Sequence, residues 1–511
     1  MQKSIFQKVH LNRIMGLLTV LAICLGMTTS SSTALAGFEY NHLKRAWQSV
    51  KEKAFGKKAG PTQALPNEIQ AAPAPIPRYE SLIRDRKLLE KLPAPIQRWL
   101  KLETEHLSRE YSRMVPAINN QNQIFSPEAG NVFEITGYWI DIEKLKVFKS
   151  SIPAELHEKF FRQKDGKEKV LFLVHPESYR LYTSLLTPDL ETEKYLAAAT
   201  SSSRSLLVWR EGQELDSFIA KLSLDVEIGG VVRSIKGTEA AMSIGIDRIL
   251  KLSNLPAAFR FFSECFSVIP KGLERGGMII RAFPEEMKNP KLTIMPLFSL
   301  YAINKNGKPP LAEMIAASGL SPDVYVRTRI IEPFIHHWVE LAVENGILTE
   351  PHAQNVLIEI GENGQPTGRF FQRDFGGFNI DLKYRQRIGL EVPELPTFTG
   401  NIEADYYQSA HGDNLFSSLH NYFEGGFVYN LDRNINEWIK LGWIKGSTFS
   451  FEEAHIWILN TLKEDLARYG SEINMTTMDQ ISLAVSKIKL TVPDAVASIV
   501  SCQDLFAGAG K

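Results

Sequence analysis

The 511-residue sequence has few cysteines, no excess of either charge and only one long apolar run. Cys24, Cys265 and Cys502 are its only cysteines, and they are too widely spaced for a disulfide framework or a zinc site. Lys plus Arg equals Asp plus Glu at 58 each. This balance argues against a nucleic-acid partner, because proteins that bind nucleic acids usually carry a net basic surface. No G-x-G-x-x-G loop follows a predicted strand, so a dinucleotide-binding fold is not expected.

The N-terminus has the three-part pattern of a secretory signal. Lys3, Lys8 and Arg13 precede an apolar run over residues 15–27, and two small residues, Ala34 and Ala36, follow two positions apart. The run is shorter than the roughly 20 residues that cross a bilayer. We therefore predict a signal-like segment at residues 1–36, which directs export or associates with a membrane through residues 15–27.

The rest of the chain has the mixed pattern of an α+β protein. Residues 37–78 form a short charged helix and a Pro/Ala-rich linker, which composition separates from the core. The run at 170–174 (VLFLV) is typical of a strand buried on both faces. Alternating apolar residues predict antiparallel hairpins around 219–235 and 356–375. We expect helices at both ends and antiparallel strands between them.

A run of small hydroxyl residues beside an arginine, Thr200-Ser201-Ser202-Ser203-Arg204-Ser205, is the first candidate for chemistry. Hydroxyls and backbone N–H groups donate hydrogen bonds to phosphate, and Arg204 adds a bidentate guanidinium. An ordinary serine-rich loop is the alternative interpretation.

Lys221 and Arg233 flank the pair Gly229-Gly230 and could clamp a polyphosphate between two cations. A two-residue turn would pair Val226 with Arg233, and Lys221 and Arg233 would then point to opposite faces of the hairpin. Both can touch one ligand only if the turn is wider or a bulge intervenes. A solvated hairpin with ordinary surface charges is the alternative.

Polar residues are densest on either side of the second hairpin, in a segment from Glu350 to Asn355 and in the pair Arg373-Asp374. A carboxylate and an amide oxygen at the ends of adjacent strands can share one Mg²⁺. His352 can donate a hydrogen bond to a phosphate or to a developing oxyanion. The alternative is a His and an Asn that satisfy backbone groups of a loop.

Two further residues follow apolar strands and could reach a cleft. His175 comes directly after the 170–174 run, and Arg281 follows a short apolar strand. A structural histidine and a surface ion pair are the respective alternatives.

The order of these motifs resembles the aerobactin-synthetase-like family of siderophore synthetases, which work without a nonribosomal peptide synthetase. In that family a TSSxRT-type loop precedes a Lys-Leu strand and an Arg about a dozen residues later. A Glu-x-His-x-Gln-Asn segment and a strand ending in Arg-Asp follow much later. The resemblance covers roughly residues 170–378.

The resemblance implies an α+β architecture like a cupped hand, often dimeric, with a helical thumb at 79–165, fingers at 166–300 and a palm at 301–511. It implies a homodimer that uses ATP and Mg²⁺ to join a polycarboxylic acid such as citrate to an amine or alcohol through an acyl-adenylate. His352, Arg233 and Lys221 would carry catalysis. The implied ATP contacts are Ser202, Arg204, Ser205, Lys221, Arg233 and Arg373, the metal ligands Glu350, Asn355 and Asp374, and the substrate contacts His175, Arg281 and Gln354.

Three features depart from the family pattern. Ser205 replaces the usual Thr but keeps its hydroxyl, and a longer His-Pro-Trp-Gln element is reduced to His175-Pro176. The signal-like segment conflicts with a reaction that needs cytoplasmic ATP. Either the segment does not export the chain, or the ligase chemistry has been lost, or an anchor keeps the protein on the inner face.

Two other functions fit parts of the sequence. An exported binding protein for a siderophore or carboxylate would explain the signal-like segment but not the retained phosphate and metal residues. A kinase-like phosphotransferase would explain Asn355 and Asp374, which could hold metal as in kinases. No Gly-rich loop or strand lysine precedes them in the kinase order.

Overall fold

The computed structural model describes residues 78–104, 123–228, 231–302, 307–406 and 419–469. The signal-like segment and nearly all of the Pro/Ala-rich linker lie outside these ranges. Within them, no helix is both long and apolar enough to cross a membrane. The run at 15–27, for which we predicted membrane association, is not among these residues.

The described residues form eighteen strands and eleven α-helices in a mixed order, so the α+β class is confirmed. The strands are β1 (Ile83–Arg84), β2 (Val132–Asp141), β3 (Leu145–Lys149), β4 (Phe161–Lys164), β5 (Lys167–Val174), β6 (Thr192–Ala199), β7 (Ser205–Arg210), β8 (Gln213–Leu222), β9 (Glu227–Ile228), β10 (Val231–Val232), β11 (Phe259–Phe261), β12 (Glu264–Pro270), β13 (Met278–Arg281), β14 (Thr293–Pro296), β15 (Ile347–Leu348), β16 (Val356–Ile360), β17 (Pro366–Gln372) and β18 (Asn379–Ile380). The helices are α1 (Ala94–Thr104), α2 (Ala154–Phe160), α3 (Gly237–Leu252), α4 (Leu297–Tyr301), α5 (Pro310–Ser318), α6 (Pro322–Val326), α7 (Glu332–Asn345), α8 (Leu382–Arg387), α9 (Ile402–Asp405), α10 (Tyr429–Lys440) and α11 (Phe451–Arg468), with π-helical segments at Arg327–Ile331 and Leu419–Val428.

The largest sheet is antiparallel and has the order β3-β12-β13-β8-β7-β6-β2-β5-β4, with β1 added beside β2. The apolar run Val170–Val174 lies in β5, and all five of its side chains are buried in one core cluster. An unbroken apolar run was predicted to be covered on both faces, and this prediction is confirmed.

A second sheet has the order β11-β17-β16-β14 and packs with α1 against one face of the large sheet. Leu207 and Ile219 of the large sheet share a core cluster with Trp99 of α1 and with Leu357 and Phe371 of the small sheet. The predicted hairpin around 356–375 is confirmed, since β16 and β17 pair antiparallel.

The C-terminal helices follow the sequence signals. The sequence Ser450-Phe451-Glu452-Glu453 has the capping-box pattern that predicts the start of a helix. Ser450 caps α11 by accepting a hydrogen bond from the Glu453 backbone N–H at 3.3 Å, which confirms this start. Pro333 stands in the first turn of α7, directly after a π-helical segment. There its missing N–H is tolerated, so the helical path continues to Gly346.

The expectation that residues 79–165 are helical is wrong for their second half. This region contributes β2, one of the central strands of the large sheet, as well as β3 and β4. Val132–Asp141 is rich in β-branched and aromatic residues, which favour a strand once neighbouring strands cover them. The division into thumb, fingers and palm stays a prediction.

Candidate functional site

Strand register places four polar side chains on one face of the large sheet. Ser205 pairs with Lys221, which in turn pairs with Ile279 on the next strand. Arg281 lies two residues after Ile279 and therefore shares its face, and Glu264 pairs directly with Arg281. The site is thus built on β7, β8, β13 and β12 rather than on loops alone.

Helix α3 covers this face and adds a carboxylate from its first turn. Ser267 of β12 donates to the Ala240 carbonyl at 2.6 Å, which fixes the start of the helix on the sheet. Glu239 then reaches Lys221, with 2.7 Å between Oε1 and Nζ. A carboxylate in the first turn of a helix is favoured by the helix dipole.

Asp374 approaches Lys221 from the small sheet. It follows β17 and adopts a left-handed backbone conformation with φ of 68°. Left-handed conformations are uncommon outside glycine, and such residues cluster at functional sites. Its carboxylate Oδ1 accepts a hydrogen bond from Lys221 Nζ and lies 3.6 Å from an Arg281 guanidinium nitrogen.

The Lys221 ammonium is therefore held between two carboxylates while being only 1% exposed. Burial alone would raise the pKa of Asp374, but Lys221, Arg281 and Arg204 outweigh it and hold that pKa well below its ordinary value. Burial acts in the same way on Glu239, and Lys221 with Arg204 lowers its pKa. Both carboxylates are consequently charged at neutral pH.

Arg204 and Arg233 lie beside each other in this cluster, where the Arg204 guanidinium donates to the Arg233 carbonyl at 3.5 Å. The loop between β6 and β7 is closed by the Ser205 N–H, which donates to the Ser202 carbonyl at 3.1 Å. Arg204 lies 3.7 Å from the Glu239 carboxylate. Burial and the neighbouring Arg204 lower the pKa of the Arg233 guanidinium, which Asp374 and Glu239 partly oppose.

The predicted conflict between Lys221 and Arg233 is resolved by an interruption of the strand. The turn has the expected register, because the Arg233 N–H donates to the Val226 carbonyl at 3.1 Å. However, β8 ends at Leu222, and the four residues before β9 are not paired as a strand. The alternation of faces is lost across this gap. Both cations therefore interact electrostatically with the carboxylates of Asp374 and Glu239.

Two of the predicted metal ligands, Glu350 and Asn355, are in direct contact. Asn355 donates from its amide to Glu350 at 3.3 Å, and the Asn355 carbonyl accepts from the Arg373 backbone N–H. Glu350 also lies against Gly377, where a Cβ would sit 2.4 Å from its carboxylate oxygen. The turn after Asp374 therefore fits against Glu350 only because that position is glycine.

The chemistry of these donors fits Mg²⁺, which prefers a few hard oxygens supplemented by water and phosphate. In the parts of the chain that the structure describes, no group of three or more His, Cys, Asp and Glu is arranged to hold a metal ion. An ion here would thus depend on Glu350, the Asn355 amide oxygen and Asp374, completed by oxygens from water or a ligand.

His352 is neutral in this environment. Burial lowers its pKa to about 4, and the nearby Asp374 opposes this shift only in part. Its Nδ1 accepts a hydrogen bond from the Gln354 backbone N–H at 3.2 Å. The ring proton of the neutral form therefore resides on Nε2, so His352 is a hydrogen-bond donor and not a cation.

Arg373 and Gln354, predicted as nucleotide and substrate contacts, make hydrogen bonds inside the protein. Arg373 makes two hydrogen bonds to Glu103, at 2.7 and 3.1 Å, and donates to Ser201 and to the Gln354 carbonyl. Gln354 donates from its amide to the Ser201 carbonyl at 2.7 Å. In this structure these donors have protein acceptors, and direct contact of either residue with a ligand stays a prediction.

Arg281 and His175 also have partners inside the protein, and their contact with a substrate stays a prediction. Arg281 pairs with the buried Glu264 at 2.6 Å and is 3% exposed, so its carboxylate partner belongs to the protein. His175 lies among Phe125 and Phe133, and its Nδ1 accepts from the Glu177 backbone N–H. Burial lowers its pKa to about 3, which marks a neutral core histidine.

Three acidic residues of the site were not found from the sequence: Glu103, Glu239 and Glu264. Glu103 lies 270 residues from Arg373 along the chain, whereas Glu239 and Glu264 lie 18 and 17 residues from Lys221 and Arg281. None of the three belongs to a short motif. Only Glu239 could have been noticed in the sequence, because it lies in the first turn of a helical pattern, three residues after the N-cap residue Lys236.

The sequence matches no protein family profile and no curated protein. The structure is similar to the petrobactin biosynthesis protein AsbB from Bacillus anthracis str. Sterne, with a TM-score of 0.56 and 16% identity over 71% of this chain and 65% of that chain. It is also similar to the ATP-bound aerobactin synthetase IucA from a hypervirulent pathotype of Klebsiella pneumoniae, with a TM-score of 0.52 and 15% identity over 77% and 72% of the two chains.

These similarities show the fold. The chain has the fold of synthetases that make siderophores without a nonribosomal peptide synthetase, which confirms the resemblance inferred from the motif order. The match spans about two thirds of the length of AsbB (65%).

Proposed function

We propose that this chain is an ATP-dependent synthetase that activates a polycarboxylic acid such as citrate as an acyl-adenylate and joins it to an amine or alcohol. The observation that carries the proposal is the convergence of separate motifs on one site. Arg204, Lys221, Arg233, His352 and Asp374 come from four segments of the chain and lie within one electrostatic cluster. The fold of the ATP-bound aerobactin synthetase IucA supports ATP as the cosubstrate.

In the proposed reaction the cations offset the charge of two anionic reactants. Arg204 and Arg233 lie beside each other in the cluster, where they would bind the phosphates of ATP. Lys221 is more deeply buried and would stabilise charge that develops during transfer. His352 would donate from Nε2 to an oxyanion without adding a charge of its own. Mg²⁺, held by Glu350, Asn355 and Asp374, would neutralise phosphate oxygens.

The chemistry would proceed in two steps. An oxygen of the carboxylate forms a bond to the α-phosphorus of ATP, and the bond from that phosphorus to the bridging oxygen breaks to release pyrophosphate. The amine nitrogen or hydroxyl oxygen then attacks the acyl carbon. The carbon–oxygen bond to AMP breaks, and the nucleophile loses a proton.

Pyrophosphate release by the purified chain tests the proposal. ATP, Mg²⁺ and citrate are combined with a panel of polyamines, amino acids and amino alcohols, and nucleotide products are separated. We expect pyrophosphate and AMP to form only when both an acid and a nucleophile are present. ADP as the product would indicate a phosphotransferase instead, and failure to bind ATP would favour an exported carboxylate-binding protein.

A matched pair of variants ties the activity to this site. Arg204→Ala removes a cluster arginine, whereas Arg180→Ala removes an exposed arginine after β5. We expect pyrophosphate release to be lost in the first variant and retained in the second. Equal activity in both would reject the site.

A further inference from the structure

Glu103 is a buried carboxylate that no motif of the site includes. It lies in the last turn of α1 and is fully buried. Burying a carboxylate costs several kcal/mol unless it is paired and its lone pairs are satisfied. The carboxylate oxygens of Glu103 accept hydrogen bonds from donors on two separate segments of the chain. The buried charge is therefore stabilised by residues outside α1.

The first of these groups is Arg373. Its two guanidinium nitrogens donate to the two oxygens of Glu103 at 2.7 and 3.1 Å, which is the bidentate geometry of a strong pair. Arg373 directly precedes Asp374, and its backbone N–H donates to the Asn355 carbonyl. Holding the Arg373 side chain therefore fixes the place where the left-handed turn at Asp374 begins.

The second group is the Ser201 backbone N–H, which donates to Glu103 Oε2 at 3.1 Å. The Ser201 hydroxyl accepts from Arg373 at 3.0 Å, and the Ser201 carbonyl accepts from Gln354 at 2.7 Å. Ser201 belongs to the loop that carries Arg204. One buried network thus joins α1, this loop and the 350–374 segment.

We infer that Glu103 is a positioning residue, which sets the phosphate-binding loop and the metal-binding turn relative to each other through Ser201 and Arg373. What the two segments bind rests on the proposed function. The positioning of the segments by Glu103 does not. Among the described residues, Glu103 makes no hydrogen bond or ion pair with Lys221, Arg204 or Asp374. It therefore acts through other residues and not on the reactants.

Amide hydrogen exchange in the full chain measures the positioning without any ligand. Glu103→Gln keeps the shape of the side chain but removes its charge and one acceptor. Leu102→Ala, on the same turn of α1, removes core volume without touching the network. We expect Glu103→Gln to speed exchange at least about tenfold in both 200–205 and 373–377, and Leu102→Ala to leave both segments within about twofold of wild type.

ATP binding, measured by calorimetry with Mg²⁺, provides the functional readout. We expect Glu103→Gln to raise the Kd for ATP by at least about tenfold, while Leu102→Ala lowers the melting temperature but keeps the Kd. If Glu103→Gln does not fold, Ser201→Ala serves instead, because it keeps the ion pair and removes one acceptor of Arg373. Its expected increase in Kd and in exchange at 373–377 is about threefold.

The two outcomes that matter are distinguishable. Unchanged exchange in 200–205 and 373–377 in the folded variants would overturn the positioning role, whether or not the protein binds ATP. Faster exchange in both segments in a protein whose wild type does not bind ATP would support the positioning role and reject the proposed function.

Discussion

Two pairs of arginines border the site, and they differ in what neutralises them. Arg281 and Arg373 are closed pairs: each is buried and lies 2.6–2.7 Å from a buried glutamate. Arg204 and Arg233 are open: Arg204 lies 3.7 Å from its nearest carboxylate, and Arg233 has no ion pair among the described residues. The closed arginines each have a glutamate oxygen within 2.7 Å, whereas among the described residues the open arginines have no carboxylate this near.

The difference separates residues that position the site from residues that would bind. A closed pair has its charge cancelled inside the protein, so its removal should affect folding first. The charge of an open arginine is opposed only at longer range, by Glu239 and Asp374, so its removal should affect ligand binding first. The predictions below test this division, from the largest expected effect to the smallest.

Breaking a closed pair should destabilise the protein strongly. Burial raises the pKa of the Glu264 carboxyl, and Arg281 opposes this shift. Arg281→Met leaves that carboxyl buried without its partner, and we expect the free energy of unfolding to fall by about 3–5 kcal/mol. Denaturant unfolding of the purified variant measures this loss. The double variant Arg281→Met with Glu264→Leu should recover most of it, because two apolar residues need no pairing. A single variant as stable as wild type would contradict the closed description.

Removing an open arginine should have the opposite signature. We expect Arg204→Ala to reduce pyrophosphate release by about 10²–10³-fold, as the loss of a charged donor to a transferring phosphoryl group does. Its free energy of unfolding should change by less than about 1 kcal/mol, since no close pair is broken. A variant that loses stability but keeps turnover would place Arg204 among the positioning residues and reverse the comparison.

Lowering the pH should protonate a buried histidine and so reduce stability, while the open arginines stay charged. His337 is buried, its Nδ1–H donates to the Pro333 carbonyl at 3.0 Å, and burial lowers its pKa to about 4 from 6.5. The unfolded chain therefore binds the proton more tightly. Stability from the neutral ring is fully present above pH 6.5 and is lost as pH falls from 6.5 towards 4.

Between pH 7 and pH 5, we expect the protonation of His337 to lower the free energy of unfolding by about 2 kcal/mol. Chemical denaturation at both pH values measures it, with His337→Phe as the comparison. The variant should show a loss smaller by that amount, because its side chain does not titrate. His175 is present in both proteins and cancels from the difference. An equal loss in the two proteins would show that His337 is not held neutral.

The sequence was sufficient to predict which residues approach the site and their order along the chain. It was not sufficient to predict which distant residues they pair with. The pattern of apolar residues was sufficient to predict β5 and the hairpin around 356–375, and the capping box was sufficient to predict the start of α11. Each of these features depends on local spacing. The strand β2 was missed because its burial depends on neighbours that come later in the chain. Likewise Arg373 could not be separated from Arg204, because its partner Glu103 lies 270 residues away.

The smallest effect tests whether the open arginines act by charge alone or also by shape. Arg233→Lys keeps the positive charge near Asp374 and Glu239 but replaces the planar fork with a single ammonium. If Arg233 grips two phosphate oxygens, ATP binding should weaken by about tenfold, since an ammonium cannot reproduce the bidentate contact. Calorimetry with Mg²⁺ measures the change, and Arg233→Ala provides the limit in which charge is lost too. A lysine variant with wild-type affinity would mean that Arg233 contributes only charge, which would leave Arg204 to supply the directional contact.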